Sequence, residues 1–244
     1  MDSSPFDNLA VVLVETRNPL NIGAVARAMS NFGCFDLRLV NPYDVSFHEA
    51  VSAVGAQQLL KDARVYGSVA GAVADCALVV AATGSAHRMP LHPYHRLEKA
   101  GRLLRRHLVG ARAAILFGSE KHGLGNNHMA NCHWLLRIPT RAEHESMNLA
   151  QAVAVCLYEL ARQPHAARSL PALRPLAGAG EVERFTLLLE EILRQAEYTK
   201  DLTSASSSEK IHRLVRRLNI PAKDATVLTG MLRQILWKLN SSGQ

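Results

Sequence analysis

Residues 113–125 read Ala113-Ala114-Ile115-Leu116-Phe117-Gly118-Ser119-Glu120-Lys121-His122-Gly123-Leu124-Gly125. Five apolar residues in an unbroken run suit a strand covered on both faces, which is how parallel strands are buried. The run ends in a glycine-rich loop with one carboxylate, Glu120. Gly118 and Gly123 have the separation of a P-loop, but Leu124 stands where the phosphate-binding lysine belongs. No GxGxxG follows any strand candidate, so a dinucleotide fingerprint is absent too. The loop is either a backbone cradle for some other cofactor or a plain β-to-α turn.

Working outward, similar apolar runs lie at Leu9–Val14, Leu37–Val40, Ala77–Ala82 and Trp134–Ile138. Helical patterns lie near 19–32, 47–60, 94–108, 122–131 and 147–163. The alternation predicts an α/β fold, a parallel sheet with helices on both faces, over residues 8 to about 163.

Two further strand ends carry polar residues suited to chemistry. The first is Asn18-Pro19-Leu20-Asn21-Ile22-Gly23-Ala24-Val25-Ala26-Arg27. A strand end opening into a helix is where α/β enzymes bind ligands. Gly23 would let a substrate approach closely, and Arg27 would meet a phosphate bidentately. The structural alternative is a capped helix with a surface arginine. The second is Ile138-Pro139-Thr140-Arg141-Ala142-Glu143-His144-Glu145-Ser146-Met147-Asn148-Leu149-Ala150-Gln151. Ser146 and Asn148 fall at a helix start facing the site. Alternatively, Asn148 and Gln151 form a variant capping box.

With 244 residues, 48% of them apolar, the chain can fold one α/β domain and a smaller unit. The formal net charge of +7 favours a polyanion, most commonly a nucleic acid backbone. Aromatics are only 5%, so base-stacking platforms are not advertised. The four cysteines form no CxxC pair and the histidines no HExxH, so no metal site is expected. Free thiols in apolar runs suit a reducing compartment. Met1–Pro5 lacks the features of a signal peptide, and no apolar run reaches the length of a membrane span. A cytoplasmic protein with no membrane association is the expectation.

Residues 164–180 hold three prolines and two glycines without periodicity and read as a linker. It separates a domain at 1–163 from a helical unit at 181–244, with helices near 181–198, 207–219 and 223–239. Lys99, Arg102, Arg105 and Arg106 form one basic helix face. Lys210, Arg213, Arg216 and Arg217 form another, opposite an apolar stripe of Ile211, Leu214, Val215 and Leu218. Both are solvated faces in this reading and suit RNA phosphates.

Taken in order, the three strand-end segments resemble the signature motifs of the SPOUT RNA methyltransferases, in the branch that methylates ribose 2′-hydroxyls. The stretch Leu13-Val14-Glu15-Thr16-Arg17 through Asn21, Gly23 and Arg27 to Met29 is similar to the TrmJ family, which acts at position 32 of the tRNA anticodon loop. Leu214–Leu218 and Gly230–Trp237 are similar to that family's C-terminal extension. The resemblance implies a trefoil-knotted sheet, a homodimer with each site near the subunit interface, tRNA as substrate and S-adenosylmethionine as cofactor. Carried over by position, the cofactor is held by Ala82, Thr83 and Gly84, by Gly118, and by Ile138, Glu145, Ser146 and Met147. Arg27 holds the neighbouring phosphate and stabilises the developing alkoxide, while Asn21, Glu120, Ser146 and Asn148 orient Arg27 or the ribose. Lys210, Arg213, Arg216 and Arg217 grip the RNA. The alternatives are a related methyltransferase for another tRNA site or for rRNA, and a non-catalytic RNA-binding protein of the same fold. The joint presence of Asn21, Gly23, Arg27, Glu120, Ser146 and Asn148 argues against the last.

Overall fold

The computed structural model describes residues 6–43, 52–84, 92–162, 175–198 and 204–242. Its seven strands are β1 (Leu9–Val14), β2 (Asp36–Val40), β3 (Arg64–Tyr66), β4 (Leu78–Ala82), β5 (Tyr94–Arg96), β6 (Ala113–Phe117) and β7 (Trp134–Arg137). They form one sheet in the order β3-β2-β1-β6-β4-β7-β5, and every pairing is parallel. All residues of β1 and β6 are buried, as unbroken apolar runs require of central strands. On one face, Val11, Leu13 and Ile115 pack with α1 (Pro19–Phe32), α4 (Leu97–Leu108) and α6 (Leu149–Ala161). On the other, Val12, Val14 and Leu116 pack with α3 (Val69–Ala72) and α5 (Asn126–Met129). The remaining helix of this part, α2, covers Gln57–Lys61.

The edge strands β3 and β5 escape the sequence pattern because they are three residues long and polar. The helix expected over 94–108 therefore starts at Leu97, after β5. That expected over 122–131 shrinks to the single turn of α5. The one expected over 47–60 is seen only as α2, and residues 44–51 lie outside the described residues.

Two charged side chains of the sheet domain are buried against expectation. Arg105 belongs to the supposed solvated face of α4, yet only 3% of it is exposed. It donates to the Glu159 carbonyl of α6 and lies 3.8 Å from the Glu159 carboxylate. Arg38, inside β2, is held by Asp36 at 2.6 Å and Asp75 at 2.5 Å, with Arg64 and Arg112 also on Asp36. The hydrogen bond from Arg38 holds the Asp75 carboxyl down to about 2. Buried charges survive only when paired in this way.

The C-terminal helices are α7 (Ala179–Gln195), α8 (Ser204–Arg217) and α9 (Ala222–Ser242). Residues 163–174, which include most of the expected linker at 164–180, lie outside the described residues. Val182, Phe185, Val215, Ile220 and Ala225 make a small separate core. The bundle is docked on the sheet domain, with Ala179 N–H donating to Cys76 O (2.7 Å) and Gly180 N–H to Ala74 O (3.0 Å). The expected stripe on α8 is only half used: Val215 is buried and Ile211 packs on the core, but Leu214 and Leu218 are 50% and 58% exposed. Among the described residues, no helix is long and apolar enough to cross a membrane.

The four cysteines are free and buried, and burial pushes each thiol up to about 12. Burial also pushes the His133 imidazole down to about 3 and His92 down to about 4, with Arg216 near the first and Arg213 and Arg217 near the second. An unfolded chain protonates both rings near the ordinary 6.5. Their neutral burial is therefore compatible with full stability above about pH 6.5, and stability falls as the pH drops towards the folded values. At pH 5 each ring is expected to cost about 2 kcal/mol. His133 Nδ1 accepts from the Val79 amide (3.0 Å), a bond that an asparagine oxygen can replace. His133→Asn should narrow the gap between urea unfolding midpoints at pH 7.5 and pH 5; an unchanged gap would exclude His133 as a source of acid sensitivity.

Candidate active site

Because every strand is parallel, the loops after β4, β6 and β7 leave the same edge of the sheet, and there they enclose a cavity of about 510 Å³. All eight residues expected to hold a cofactor line it: Ala82, Thr83 and Gly84 after β4, Gly118 after β6, and Ile138, Glu145, Ser146 and Met147 after β7. Two glycines let these loops close. A β-carbon on Gly84 would stand 2.5 Å from the Glu145 carbonyl oxygen. One on Gly118 would stand 2.1 Å from the Gly123 carbonyl carbon. The β6 loop folds back on itself there, with Gly123 in the left-handed region (φ 64°) and its N–H donating to Ser119 O at 2.8 Å. Gly84 thus lets one loop close on another, and Gly118 lets the β6 loop close on itself.

The loop after β7 is held by side chains that sequence reading passed over. Arg137 Nη2 donates to Glu145 Oε1 at 3.2 Å, and Thr140 Oγ1 donates to Glu145 O at 3.3 Å. The signal was an arginine at the last position of β7, eight residues before a glutamate. Lys121 and His122 also line the cavity, legible only by adjacency to Glu120.

Of the expected catalytic residues, the fold joins Asn21 to Glu120: Asn21 Nδ2 donates to Glu120 Oε1 at 2.6 Å. Glu120 and Ser146 line the cavity. Asn21, Arg27 and Asn148 do not. Arg27 lies on the exposed side of α1, six residues and so about 9 Å along the helix from Asn21. Gly23 corrects the expectation of an open approach, since it is buried on the inner side of α1. Asn148 is the N-cap of α6, its side-chain oxygen accepting from Ala150 N (3.0 Å) and Gln151 N (3.3 Å). Gln151 contributes its backbone only, so the capping box is not formed in full.

The expected RNA grip on α8 is partly overturned. Lys210 and Arg217 are exposed and Arg213 is half-buried, but Arg216 is 1% exposed. Its Nη2 donates to Ala179 O at 3.2 Å and lies 3.5 Å from Glu183. It turns inward because it joins α8 to α7 inside the bundle. Among the described residues, no three His, Cys, Asp or Glu side chains gather as metal ligands.

Residues 8–158 match the SpoU rRNA methylase family, and the chain belongs to that family. It is similar nearly throughout to TrmJ, tRNA (cytidine/uridine-2′-O-)-methyltransferase. The Yersinia enterocolitica protein of that name is 32% identical over 235 residues, 93% of this chain and 91% of the relative. The Pectobacterium atrosepticum protein is 31% identical over 240 residues, 94% and 97% of the two chains. The crystal structure of TrmJ from Z. mobilis ZM4 superposes with a TM-score of 0.81 at 32% identity, covering 93% of this chain and 98% of that one.

Capping and chemistry at Asn148 can be separated. Asn148→Ala should lower unfolding free energy by about 1 kcal/mol, the usual cost of an N-cap. Asn148→Asp keeps the acceptor and should restore that stability. Equal losses in both variants, read as denaturant midpoints, would contradict a capping role.

Proposed function

We propose that this protein transfers the methyl group of S-adenosylmethionine to the ribose 2′-hydroxyl of a pyrimidine at position 32 of a tRNA anticodon loop. The observation that carries the reading is the convergence of three loops, closed by glycine, on one cavity at the carboxyl edge of the sheet. The names of the nearly full-length relatives supply the substrate class. The cavity volume falls in the range of small-molecule sites. Its backbone walls at Gly84 and Gly118 can meet the polar edge of an adenine without a charged side chain, so the residues present fit the cofactor. Bound there by the eight lining residues, S-adenosylmethionine supplies a methyl group already activated on a sulfonium.

The chain's own work is then alignment, which can supply much of the barrier reduction in a two-reactant step. The ribose lies at the Asn21–Glu120 rim, beside the cavity. Ser146 sits on the cavity side of the capped α6, where it orients the ribose. Arg27, outside the cavity lining, holds a substrate phosphate and stabilises negative charge developing on the 2′-oxygen. A neutral guanidine is too costly for Arg27 to act as the base. The proton leaves to phosphate or water. Lys210, Arg213 and Arg217 contact tRNA phosphates further out. The reading includes the trefoil knot, the homodimer with each site near the subunit interface, and a cytoplasmic location. It also keeps the division into a catalytic domain at 1–163, a linker at 164–180, of which the last two residues already open α7, and a helical extension at 181–244.

The direct test maps methylated nucleotides in tRNA incubated with the protein and S-adenosylmethionine; modification elsewhere, or none, overturns the assignment to position 32. Arg27→Ala should slow single-turnover methylation about 100-fold while titration with S-adenosylhomocysteine is unchanged. Near-normal turnover would discard the role of Arg27. Replacing Lys210, Arg213 and Arg217 together by glutamine should weaken tRNA binding and reduce the slope of log affinity against log salt by up to about 3. An unaltered slope would remove α8 from the RNA interface.

A further inference from the structure

Two side-chain-bearing residues at strand ends hold the left-handed backbone conformation, Glu15 at φ 53° and Asn41 at φ 45°. They follow the neighbouring strands β1 and β2, on the same edge of the sheet as the cavity. Such conformations persist where the surroundings over-determine them. Here Glu15 N–H donates to Val40 O (2.8 Å), Asn41 N–H to Tyr66 O (3.1 Å) and Tyr43 N–H to Thr16 O (3.1 Å). These turns bring together two side chains that have no part in the core. The Arg17 guanidinium lies over the Tyr43 ring, 5.5 Å from its centroid, and Tyr43 is 77% exposed. The Arg17 amide reaches Glu120 Oε2 at 3.4 Å, so the pair is tied to the carboxylate that also binds Asn21 at the cavity rim.

We propose that the Arg17–Tyr43 pair is a docking site for an RNA base flanking the methylated ribose. The inference rests on the methyltransferase reading above. Proteins recognise RNA loops largely by stacking unpaired bases on aromatic rings and arginine planes. Tyr43 offers an exposed ring face, and Arg17 steadies the ring while adding positive charge for a phosphate. The platform exists before RNA arrives, so little ordering is needed on binding. Its place also fits. Strands β6, β1 and β2 are successive neighbours, so Tyr43 stands two strand spacings, about 10 Å, along the edge from the Glu120 loop. That is the reach of one or two nucleotides from a ribose at the Asn21–Glu120 rim. The loops after β4 and β7 serve the cofactor, and the loops after β1 and β2 carry the RNA away from it.

The test uses the whole protein and an anticodon stem-loop RNA with 2-aminopurine at one nucleotide beside the target, varied in turn. The wild type is expected to quench one of these probes and to methylate the RNA. Tyr43→Ala and Tyr43→Leu should raise the RNA KM roughly tenfold and abolish that quench, with kcat little affected. Tyr43→Phe, which keeps the ring, should restore both readouts. Arg17→Ala, which keeps the backbone amide on Glu120, should raise KM in the same direction. If the wild type methylates the RNA but Tyr43→Ala and Tyr43→Leu match its KM and quench, the stacking site is overturned while the methyltransferase reading stands. The site is equally overturned if Tyr43→Phe loses as much as Tyr43→Ala, because the hydroxyl rather than the ring would then be at work. If the wild type methylates no tRNA, the methyltransferase reading falls and this inference with it.

Discussion

The carbonyl oxygen of Glu145 stands only 2.5 Å from where a β-carbon on residue 84 would lie. That close crossing of the loops after β4 and β7 is the constraint on which the site depends. Parallel pairing brings every loop of this kind to one edge, but it does not by itself make them touch. Contact requires the missing side chain at Gly84, while the one missing at Gly118 lets the β6 loop fold back on itself. Once the loops touch, the space between them is lined by the backbone-only residues Gly84 and Gly118 and by side chains that include Glu120, Lys121, His122, Glu143 and Glu145.

The central strands were legible because β1 and β6 are buried on both faces and must be apolar throughout. The edge strands β3 and β5 were not, since a short strand with one open side can carry Arg64, His95 or Arg96. Local reading also found the three loops, yet it left each balanced between a cradle and an ordinary turn. Only their common family resemblance selected one reading. Burial of charge was the least legible feature. Arg105 and Arg216 sit in sequence patterns that suit solvated helix faces, and their partners Glu159 and Ala179 lie 54 and 37 residues away. Periodicity within a helix carries no information about such partners.

Arg216 also changes the meaning of the C-terminal helices. A bundle tethered only by a proline-rich linker would present every basic residue of α8 to solvent. Instead, the bundle shares backbone hydrogen bonds with residues 74 and 76, and Arg216 is buried against Ala179 and Glu183 of α7. An arginine buried in this way cannot also meet RNA in this arrangement. The outward charge of α8 is therefore smaller than its sequence suggests, but it is held at a fixed position relative to the cavity. For a large folded substrate, a fixed contact far from the reacting atom constrains orientation better than a mobile one.

Glu120 carries the same logic into the site. One of its oxygens binds the Asn21 side chain and the other the Arg17 amide. It therefore couples the loop after β6, which helps wall the cavity, to the loop after β1, which opens the helix carrying Arg27. Methyl transfer from a sulfonium asks little of acid–base groups and much of alignment, and a misplacement of about 1 Å can cost a hundredfold in rate. On the proposed reading, a carboxylate spanning the two loops would keep the cofactor side and the RNA side in register, whatever becomes of the proton. On this argument Glu120 is a positioning residue, and its value lies in the two donors it holds rather than in any proton it could accept.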